Sequence, residues 1–325
     1  MNKYEKLKVV GRGAHGTVHL CARKSNGQRV IVKQIPVDAM TAEEREAALG
    51  EVQILQILHH PNIIGYYENF LQDNVLCIVM QYAEGGTLAD LVKDQQGALM
   101  SEERILHLFA QILLSLHHLH IRQILHRDLK TQNILLNKSR TVCKLSDFGI
   151  SKVLLTGKSK ASTVIGTPSY LSPEICNNQP YDQKSDIWAL GCILYEMMTL
   201  TKAFDAENLA GTILKITRGE VAPISQRLVT QMLSLDPNQR PTTSELLAVP
   251  ILLPSIFYMV TDLGAIPGPS PTKTSPEKSP KKLRTGGGAL SLSMKKEMAA
   301  TVAPSDGEKK KQEKEDRNAA TSCDI

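Results

Sequence analysis

The stretch His126-Arg127-Asp128-Leu129-Lys130-Thr131-Gln132-Asn133, followed by Asp147-Phe148-Gly149, decides the fold and the chemistry expected of this chain. It places a carboxylate, a lysine and an amide in one short loop, with a second carboxylate downstream. Phosphoryl transfer needs little covalent help from a protein, but it needs in-line positioning and cations over the phosphate oxygens. The stretch therefore predicts a metal–phosphate centre. In it, Asp128 accepts the proton of the acceptor hydroxyl and Lys130 offsets charge on the transferred phosphate.

Asn133 and Asp147 are the predicted magnesium ligands of this centre. The tripeptide that begins at Asp147 is a weak signal alone, because short motifs recur by chance and an aspartate near a glycine is common in turns. The upstream loop adds several specified positions at fixed offsets, which favours the metal-binding interpretation.

A glycine-rich turn near the N-terminus predicts a cover over nucleotide phosphates. Gly11, Gly13 and Gly16 have the spacing G-x-G-x-x-G, with Val18 following. Without a Cβ, the backbone can close over the phosphates. Dinucleotide-binding folds use the same spacing, but there the turn leads into a helix. Here the chain continues as a strand, which disfavours that alternative.

A lysine at the end of the next strand-like run, Val30-Ile31-Val32-Lys33, is the predicted partner of the α- and β-phosphates. An exposed strand lysine is the ordinary alternative. The pattern Thr41-x-x-Glu44 predicts the start of a helix. Its apolar positions recur at helical spacing: Ala48, Val52, Leu55 and Leu58. Glu51 lies beside that stripe and is the predicted ion-pair partner of Lys33.

Together these motifs resemble those of eukaryotic protein kinases, and in detail those of the NIMA-related (Nek) family. The Nek-like details are Asp147-Phe-Gly-Ile-Ser-Lys152, Val164-Ile-Gly-Thr-Pro-Ser-Tyr-Leu-Ser-Pro-Glu174 and His60-Pro-Asn-Ile-Ile-Gly-Tyr-Tyr-Glu-Asn-Phe70. The resemblance is to the branch whose members carry chromosome-condensation-regulator-type repeats, and no such repeats follow here.

The resemblance implies an α+β, two-lobed fold over residues 4–258. It divides the chain into a small β-rich N-lobe (4–80), a hinge (81–83), a larger helical C-lobe (84–258) and a disordered tail (259–325). The tail is rich in proline, serine and lysine, and such a composition cannot bury enough apolar surface to offset the entropy of ordering.

The resemblance also implies ATP as co-substrate with Mg²⁺, and it assigns a nucleotide pocket. Met80 would screen the space behind adenine, and the backbone of Gln81 and Ala83 would bind the adenine edge. Ile31 stands where kinases usually have alanine, and its larger side chain would tighten the slot. The full set of assigned residues is Gly11, Arg12, Gly13, Gly16, Val18, Lys33, Glu51, Met80, Gln81, Ala83 and Leu135.

Two threonines downstream of Gly149 receive roles from the same resemblance. Phosphorylated Thr163 would pair with Arg127 and order the loop. Thr167 would contact Asp128 and Lys130 and favour serine or threonine acceptors.

Two structural ties are also implied. Asp186, placed just before a helix, would brace the catalytic-loop backbone, although an ordinary helix-start carboxylate is the alternative. Glu174 would form an ion pair with Arg240.

These assignments predict a serine/threonine protein kinase, with cell-cycle, microtubule or cilium-related signalling as the expected setting. The chain between Ser225 and Leu235 is shorter than the Nek pattern, which predicts weaker C-lobe packing or a lost docking surface. Two alternatives remain open at this point. One is a kinase-shaped scaffold with little catalysis, and the other is a small-molecule kinase that shares the two-lobed core.

Composition limits the partners. The chain has 325 residues, 42% of them hydrophobic, and a net charge of +5, which is too mild to indicate nucleic-acid binding. The expected partners are ATP, protein substrates and a regulatory partner bound through the tail. The charged N-terminus and the absence of a long apolar run predict no signal peptide and no membrane span. We expect a cytoplasmic protein, at the cytoskeleton, centrosome or cilium, with nuclear entry through the basic Lys281-Lys-Leu-Arg284.

Overall fold

The computed structural model describes residues 1–13, 16–38, 40–147, 168–224 and 226–262. The side chains of Glu43, Glu44, Ala47, Glu51 and residues 260–262 lie outside this description.

The N-terminal part is a five-stranded antiparallel sheet with strand order β1-β2-β3-β5-β4. Its inner strands are rich in β-branched residues, which pack well on a pleated surface. Val30 and Val32 are fully buried on one face of β3, as the alternation of a strand requires. The strands are β1 Tyr4–Gly13, β2 Gly16–Arg23, β3 Arg29–Pro36, β4 Tyr66–Gln72 and β5 Val75–Gln81.

Helix α1, Ala42–Ile57, lies beside this sheet and contacts β4. It begins directly after Thr41, where the sequence predicted a helix start. The predicted apolar stripe is confirmed, because Ala48, Val52, Leu55 and Leu58 are all buried. Gln56 on this helix donates a hydrogen bond to the Tyr66 hydroxyl at 3.2 Å, which ties the helix to β4.

The C-terminal part is helical, with one small two-stranded sheet of β6, Ile134–Leu136, and β7, Cys143–Leu145. This division into a β-rich and a helical part confirms the predicted α+β fold class. The helices are α2 Leu88–Lys93, α3 Glu102–His120, α4 Pro173–Cys176, α5 Gln183–Thr199, α6 Leu209–Arg218, α7 Arg227–Met232, α8 Thr243–Leu247 and α9 Leu253–Asp262.

Two long helices, α3 and α5, form the centre of the C-terminal core. Helix α3 begins at the N-cap Ser101, whose side chain accepts a hydrogen bond from the Arg104 N–H. Helix α5 begins at the N-cap Asp182, so Asp186 lies in its first turn and not before the helix as expected. The predicted stripes are buried: Leu108, Ile112, Leu116 and Leu119 in α3, and Ile187, Leu190, Leu194 and Met197 in α5.

The segment between Ser225 and Leu235, which the sequence predicted to be shortened, contains α7, a helix of six residues. Its apolar side is buried against α5, and a Cβ on Gly191 would lie 2.9 Å from side-chain atoms of Met232 and Leu233. Glycine at position 191 lets the two helices approach this closely. The expected loss of packing is therefore not seen at this contact.

The last described helix, α9, contains residue 258, where the sequence placed the end of the domain. Met259 is buried beyond that position, so the packed structure continues past it. Among the described residues, no single helix is long and apolar enough to cross a membrane. The bent pair Pro237–Leu247 and Pro250–Met259 passes that test by length and composition only.

Candidate active site

The glycine-rich turn joins β1 to β2, and Gly11 and Gly13 pair with Val18 and Gly16 across the hairpin. Gly16 has a φ of +132°, and a Cβ there would lie 2.0 Å from the carbonyl oxygen of Gln34. Only glycine fits this position. Arg12 pairs with Thr17, and the tip at residues 14 and 15 lies outside the described residues.

We expect Gly16→Ala to lower the free energy of unfolding by about 1–3 kcal/mol through backbone strain, with a further loss from the clash with Gln34. Chemical denaturation measures the change. Gly27→Ala is the matched control, because Gly27 also has a positive φ of +70° but a Cβ added there would meet no heavy atom within 4 Å. Equal losses in the two variants would contradict the role given to the close approach at Gly16.

Lys33 lies on β3 opposite Val18 of β2, beneath the glycine-rich hairpin. Its Nζ is 3.8 Å from Oδ1 of Asp147, so the predicted phosphate-binding lysine and the predicted metal-binding carboxylate lie close together. The Lys33 side chain is 16% exposed and that of Asp147 is 59% exposed. Glu51 lies on α1, but its side chain is outside the described residues, so its pairing with Lys33 stays a prediction.

Asp186 holds the backbone of the loop from His126 to Asn133, the predicted catalytic loop. Its carboxylate accepts hydrogen bonds from the N–H groups of His126 at 3.0 Å and Arg127 at 3.2 Å. Arg127 has a φ of +67°, an unusual value for a non-glycine residue that these bonds help to hold. The predicted bracing contact of Asp186 is thus confirmed.

The brace includes two residues that sequence reasoning missed. His120 Nε2 lies 2.9 Å from Oδ2 of Asp186, and the Tyr181 hydroxyl donates a hydrogen bond to Oδ1 of Asp186 at 2.5 Å. Burial alone would raise the pKa of Asp186, but the hydrogen bonds from His120 and Tyr181 hold it below its usual value. Asp186 therefore remains a carboxylate in the core.

His126 joins the loop to the segment before Asp147. Burial lowers its pKa, so its ring is neutral. Its Nδ1 accepts the N–H of Asp128 at 3.3 Å, and its Nε2 donates to the carbonyl oxygen of Ser146 at 3.1 Å. The Ser146 N–H and hydroxyl both donate to the carbonyl oxygen of Asn133, at 2.9 and 3.0 Å. Ser146 thereby fixes the residue next to it, Asp147, relative to Asn133.

Asp128 lies at the centre of the predicted polar group. Its Oδ2 accepts hydrogen bonds from Lys130 Nζ at 2.8 Å and from Asn133 Nδ2 at 2.9 Å. Asn133 Nδ2 also donates to the backbone carbonyl of Asp128 at 2.7 Å. The structure therefore brings Asp128, Lys130 and Asn133 together as the sequence predicted.

The residues present fit a magnesium ion. Because Asn133 uses its amide nitrogen as a double donor, its amide oxygen points away from Asp128, and no hydrogen bond among the described residues uses it. The Asp147 side chain is more than half exposed to solvent. Both supply the oxygen ligands that Mg²⁺ prefers, and nucleotide phosphates and water complete such sites.

The predicted adenine slot lies where β5 ends. Met80 pairs with Ile31 of β3 and is partly buried. The Gln81 N–H donates to the carbonyl oxygen of Gly65 at 2.7 Å, so a contact of Gln81 with adenine would use its carbonyl oxygen. Leu135 of β6 is half-buried, and Ala83 is half-buried just beyond β5.

A buried ion pair anchors the segment that follows residue 167. Arg240 is bidentate to Glu174, with both N–O distances 2.8 Å. The predicted pair is confirmed. Burial alone would raise the pKa of Glu174, but hydrogen bonds from Arg240 and Ser185 hold it below its usual value.

Four predicted positions lie outside the described residues: Phe148, Gly149, Thr163 and Thr167. The pairing of phosphorylated Thr163 with Arg127 and the contacts of Thr167 with Asp128 and Lys130 stay predictions.

The structure combines a five-stranded antiparallel sheet, whose first two strands form the glycine-rich hairpin, with a helical part that carries the Asp128 loop. This combination defines the protein kinase class of fold and site. Comparison with known proteins agrees. The family model of the protein kinase domain matches residues 4–252.

Three relatives illustrate the likeness. Serine/threonine-protein kinase Nek8 of Danio rerio is 55% identical over 273 residues, which cover 82% of this chain and 39% of that protein. Serine/threonine-protein kinase nekl-2 of Caenorhabditis elegans is 49% identical over 295 residues, which cover 86% and 82%. Serine/threonine-protein kinase Nek5 of Homo sapiens is 44% identical over 259 residues, which cover 78% and 37%.

The chain therefore belongs to the protein kinase family and, within it, to the NIMA-related serine/threonine kinases. It spans well under half the length of Nek8 and Nek5 and most of the length of nekl-2.

Proposed function

We propose that this chain transfers the γ-phosphate of ATP to serine and threonine residues of proteins, with Asp128 as the base that accepts the hydroxyl proton. The observation that carries this proposal is the grouping of Asp128 with Lys130 and Asn133, at 2.8 and 2.9 Å. A carboxylate held by two donors keeps one orientation, and catalysis of phosphoryl transfer depends on such positioning.

Each of the other predicted site residues has its own role in this proposal. Lys33 binds the α- and β-phosphates, and its distance of 3.8 Å from Asp147 supports a common role of the two residues at the phosphates. Asn133 and Asp147 hold magnesium, which, when bound, neutralises charge on the phosphate oxygens. Lys130 stabilises the transferred group while it hydrogen-bonds Asp128.

The preference for serine and threonine rests on Lys130, which lies beside Asp128, and on the names of the relatives, which are serine/threonine kinases. In this proposal Thr167 contacts Asp128 and Lys130. Phosphorylation of Thr163 and its pairing with Arg127 form the proposed switch. The scaffold alternative gains no support, because Lys33, Asp128, Asn133 and Asp147 are all present and α7 packs on α5.

Nucleotide affinity with and without magnesium tests the metal part of this proposal. We expect the wild-type protein to bind ATP more tightly with Mg²⁺ than without it, as measured by calorimetry. We expect Asp147→Asn to lose most of that difference, because a neutral amide is a weaker magnesium ligand than a carboxylate.

Asp94→Asn is the matched control, because Asp94 forms an exposed ion pair with Arg140 in the C-terminal part. It should keep the wild-type magnesium dependence. Equal ATP affinity of the wild type with and without Mg²⁺ would contradict the proposed metal site.

A further inference from the structure

A groove of about 690 Å³ lies between helices α3 and α9 of the C-terminal part. One wall is the side of α3 that carries Arg104 and His107, and the other is the side of α9 that carries Ser255 and Met259. Residues three or four positions apart lie on one face of a helix, so each wall is a continuous helix face. Among the described residues that line the groove, none belongs to the predicted ATP, metal or catalytic set.

The floor of the groove has its own hydrogen bonds. Asn62 and Gln111 are buried there, and Asn62 Nδ2 donates to Gln111 Oε1 at 2.8 Å and to the carbonyl oxygen of Cys143 at 3.0 Å. Gln111 Nε2 donates to the carbonyl oxygen of Thr141 at 2.9 Å. These polar groups need no partner from outside, and Val142 beside them adds apolar surface. The floor therefore suits an apolar occupant.

The chain leaves α9 at the edge of this groove. Met259 lines the groove and is buried, and α9 ends at Asp262, less than one turn later. The next residues are Leu263-Gly-Ala-Ile-Pro267. The groove-lining part of α9 runs from residue 254 to residue 259, about 8 Å along the helix, and five extended residues reach about 17 Å. This segment is thus long enough to lie along the groove, and Gly264 can adopt the backbone conformations that a reversal needs.

The composition of the segment fits the groove. Leu263 and Ile266 are large apolar residues, whereas the following stretch 267–282 contains prolines, serines, threonines and charged residues but no large apolar side chain. An exposed apolar pair gains from burial, by about 1.5–3 kcal/mol for each side chain. Within this part of the chain, the apolar residues are therefore confined to the positions nearest the groove.

Sequence similarity also extends into the segment. The family model of the protein kinase domain ends at residue 252. The match to Nek8 covers 82% of the chain, and 82% of 325 residues is about 266, so that match ends at or beyond about Ile266. The likeness therefore includes α9 and the apolar pair, which lie outside the family model.

We propose that Leu263 to Pro267 turn back from α9 and dock in this groove, with Leu263 and Ile266 buried between α3 and α9. The groove also contacts Pro61 and Asn62, which lie in the connection from α1 to β4. The docked segment thereby links that connection to the C-terminal part. The proposal does not depend on the proposed kinase function, because it concerns packing outside the predicted catalytic residues.

Thiol labelling of the full chain tests the proposal directly. Ser255→Cys places a thiol on the groove wall, where Ser255 is half-buried. Adding Leu263→Asp and Ile266→Asp should release the segment and raise the rate of maleimide labelling at position 255 at least about 10-fold, because charged side chains are not buried in an apolar groove. Peptide mass spectrometry locates the label, since the chain has other cysteines.

Two controls separate release of the segment from general changes. Leu290→Asp with Leu292→Asp makes the same change further along the chain and should leave the rate at position 255 within about twofold. Thr201→Cys, at an exposed position outside the groove, should be labelled equally with either form of the segment.

Thermal unfolding gives a second readout. We expect Leu263→Asp with Ile266→Asp to lower Tm by about 2–6 °C, and Leu290→Asp with Leu292→Asp to change it by less than about 1 °C. If the aspartate variant does not fold, Leu263→Ala with Ile266→Ala carries both measurements.

Equal labelling at position 255 with the wild-type segment and with the aspartate variant would overturn the proposal. Protection that increases with protein concentration would also overturn it, because a second copy of the chain would then cover the groove. Protection that arises only when another protein is added would assign the groove to a separate partner, with the same consequence.

Discussion

Replacement of Asp128 by asparagine is expected to reduce phosphoryl transfer to a serine peptide by about 10²- to 10⁴-fold, the usual contribution of a general base. Asparagine keeps the size of the side chain, and its amide oxygen can still accept the hydrogen bonds from Lys130 and Asn133. It cannot accept the hydroxyl proton. The loss should therefore appear in kcat, measured by phosphate incorporation at saturating ATP.

ATP affinity in the Asp128→Asn protein should change by less than about threefold, because Asp128 is proposed to contact the acceptor and other groups are proposed to bind the nucleotide. Asp94→Asn is again the matched control, since it makes the same chemical change at an exposed site. Wild-type kcat in the Asp128→Asn protein would contradict the assignment of Asp128 as the base.

Replacement of Arg240 by alanine is expected to lower the free energy of unfolding by about 3–5 kcal/mol, because it leaves the buried carboxylate of Glu174 without its counter-ion. Arg240 is fully buried, and besides Glu174 it donates to the carbonyl oxygens of Ser234 and Lys184 at 2.8 and 2.9 Å. Its guanidinium also lies 5.0 Å from the centre of the Trp188 ring. All these contacts are lost in the variant. Chemical denaturation measures the change.

Arg218→Ala is the matched control for Arg240→Ala. Arg218 and Glu220 form an ion pair at 3.4 Å in which both side chains are more than half exposed. Exposed pairs contribute about 0–1 kcal/mol, so little stability should be lost. A double variant that also carries Glu174→Ala should lose less than the sum of the two single changes. A loss in Arg240→Ala as small as that in Arg218→Ala would contradict the role of the buried pair.

The sequence predicted those parts of the site whose residues lie close together along the chain. The loop from His126 to Asn133 folds so that Asp128, Lys130 and Asn133 meet, and all lie within one segment. The strands around Gly16 and Lys33 were predicted from strand-like runs beside the glycine-rich turn. The apolar stripe of α1 was predicted from periodicity, because local hydrophobic spacing determines which side of an element is buried.

The ties between distant segments were less accessible to sequence reasoning. His120 and Tyr181 converge on Asp186 from different elements, and nothing in their spacing indicates this contact. Tyr170 and Glu196 lie 26 residues apart, and their meeting with Thr131 depends on how α5 packs. The hydrogen bonds of Ser146 were not predicted either, because the sequence indicates only that Ser146 precedes Asp147. Such contacts are set by tertiary packing, which the pattern of one chain does not contain.

The most direct test of the central claim is the initial rate of phosphate transfer from ATP and Mg²⁺ to three peptides that differ only in their acceptor, serine, threonine or tyrosine. The account predicts transfer to the serine and threonine peptides and little to the tyrosine peptide, because Lys130 and Thr167 are proposed to shape the site for a short hydroxyl beside Asp128. Transfer to none of the three, or to tyrosine alone, would contradict it.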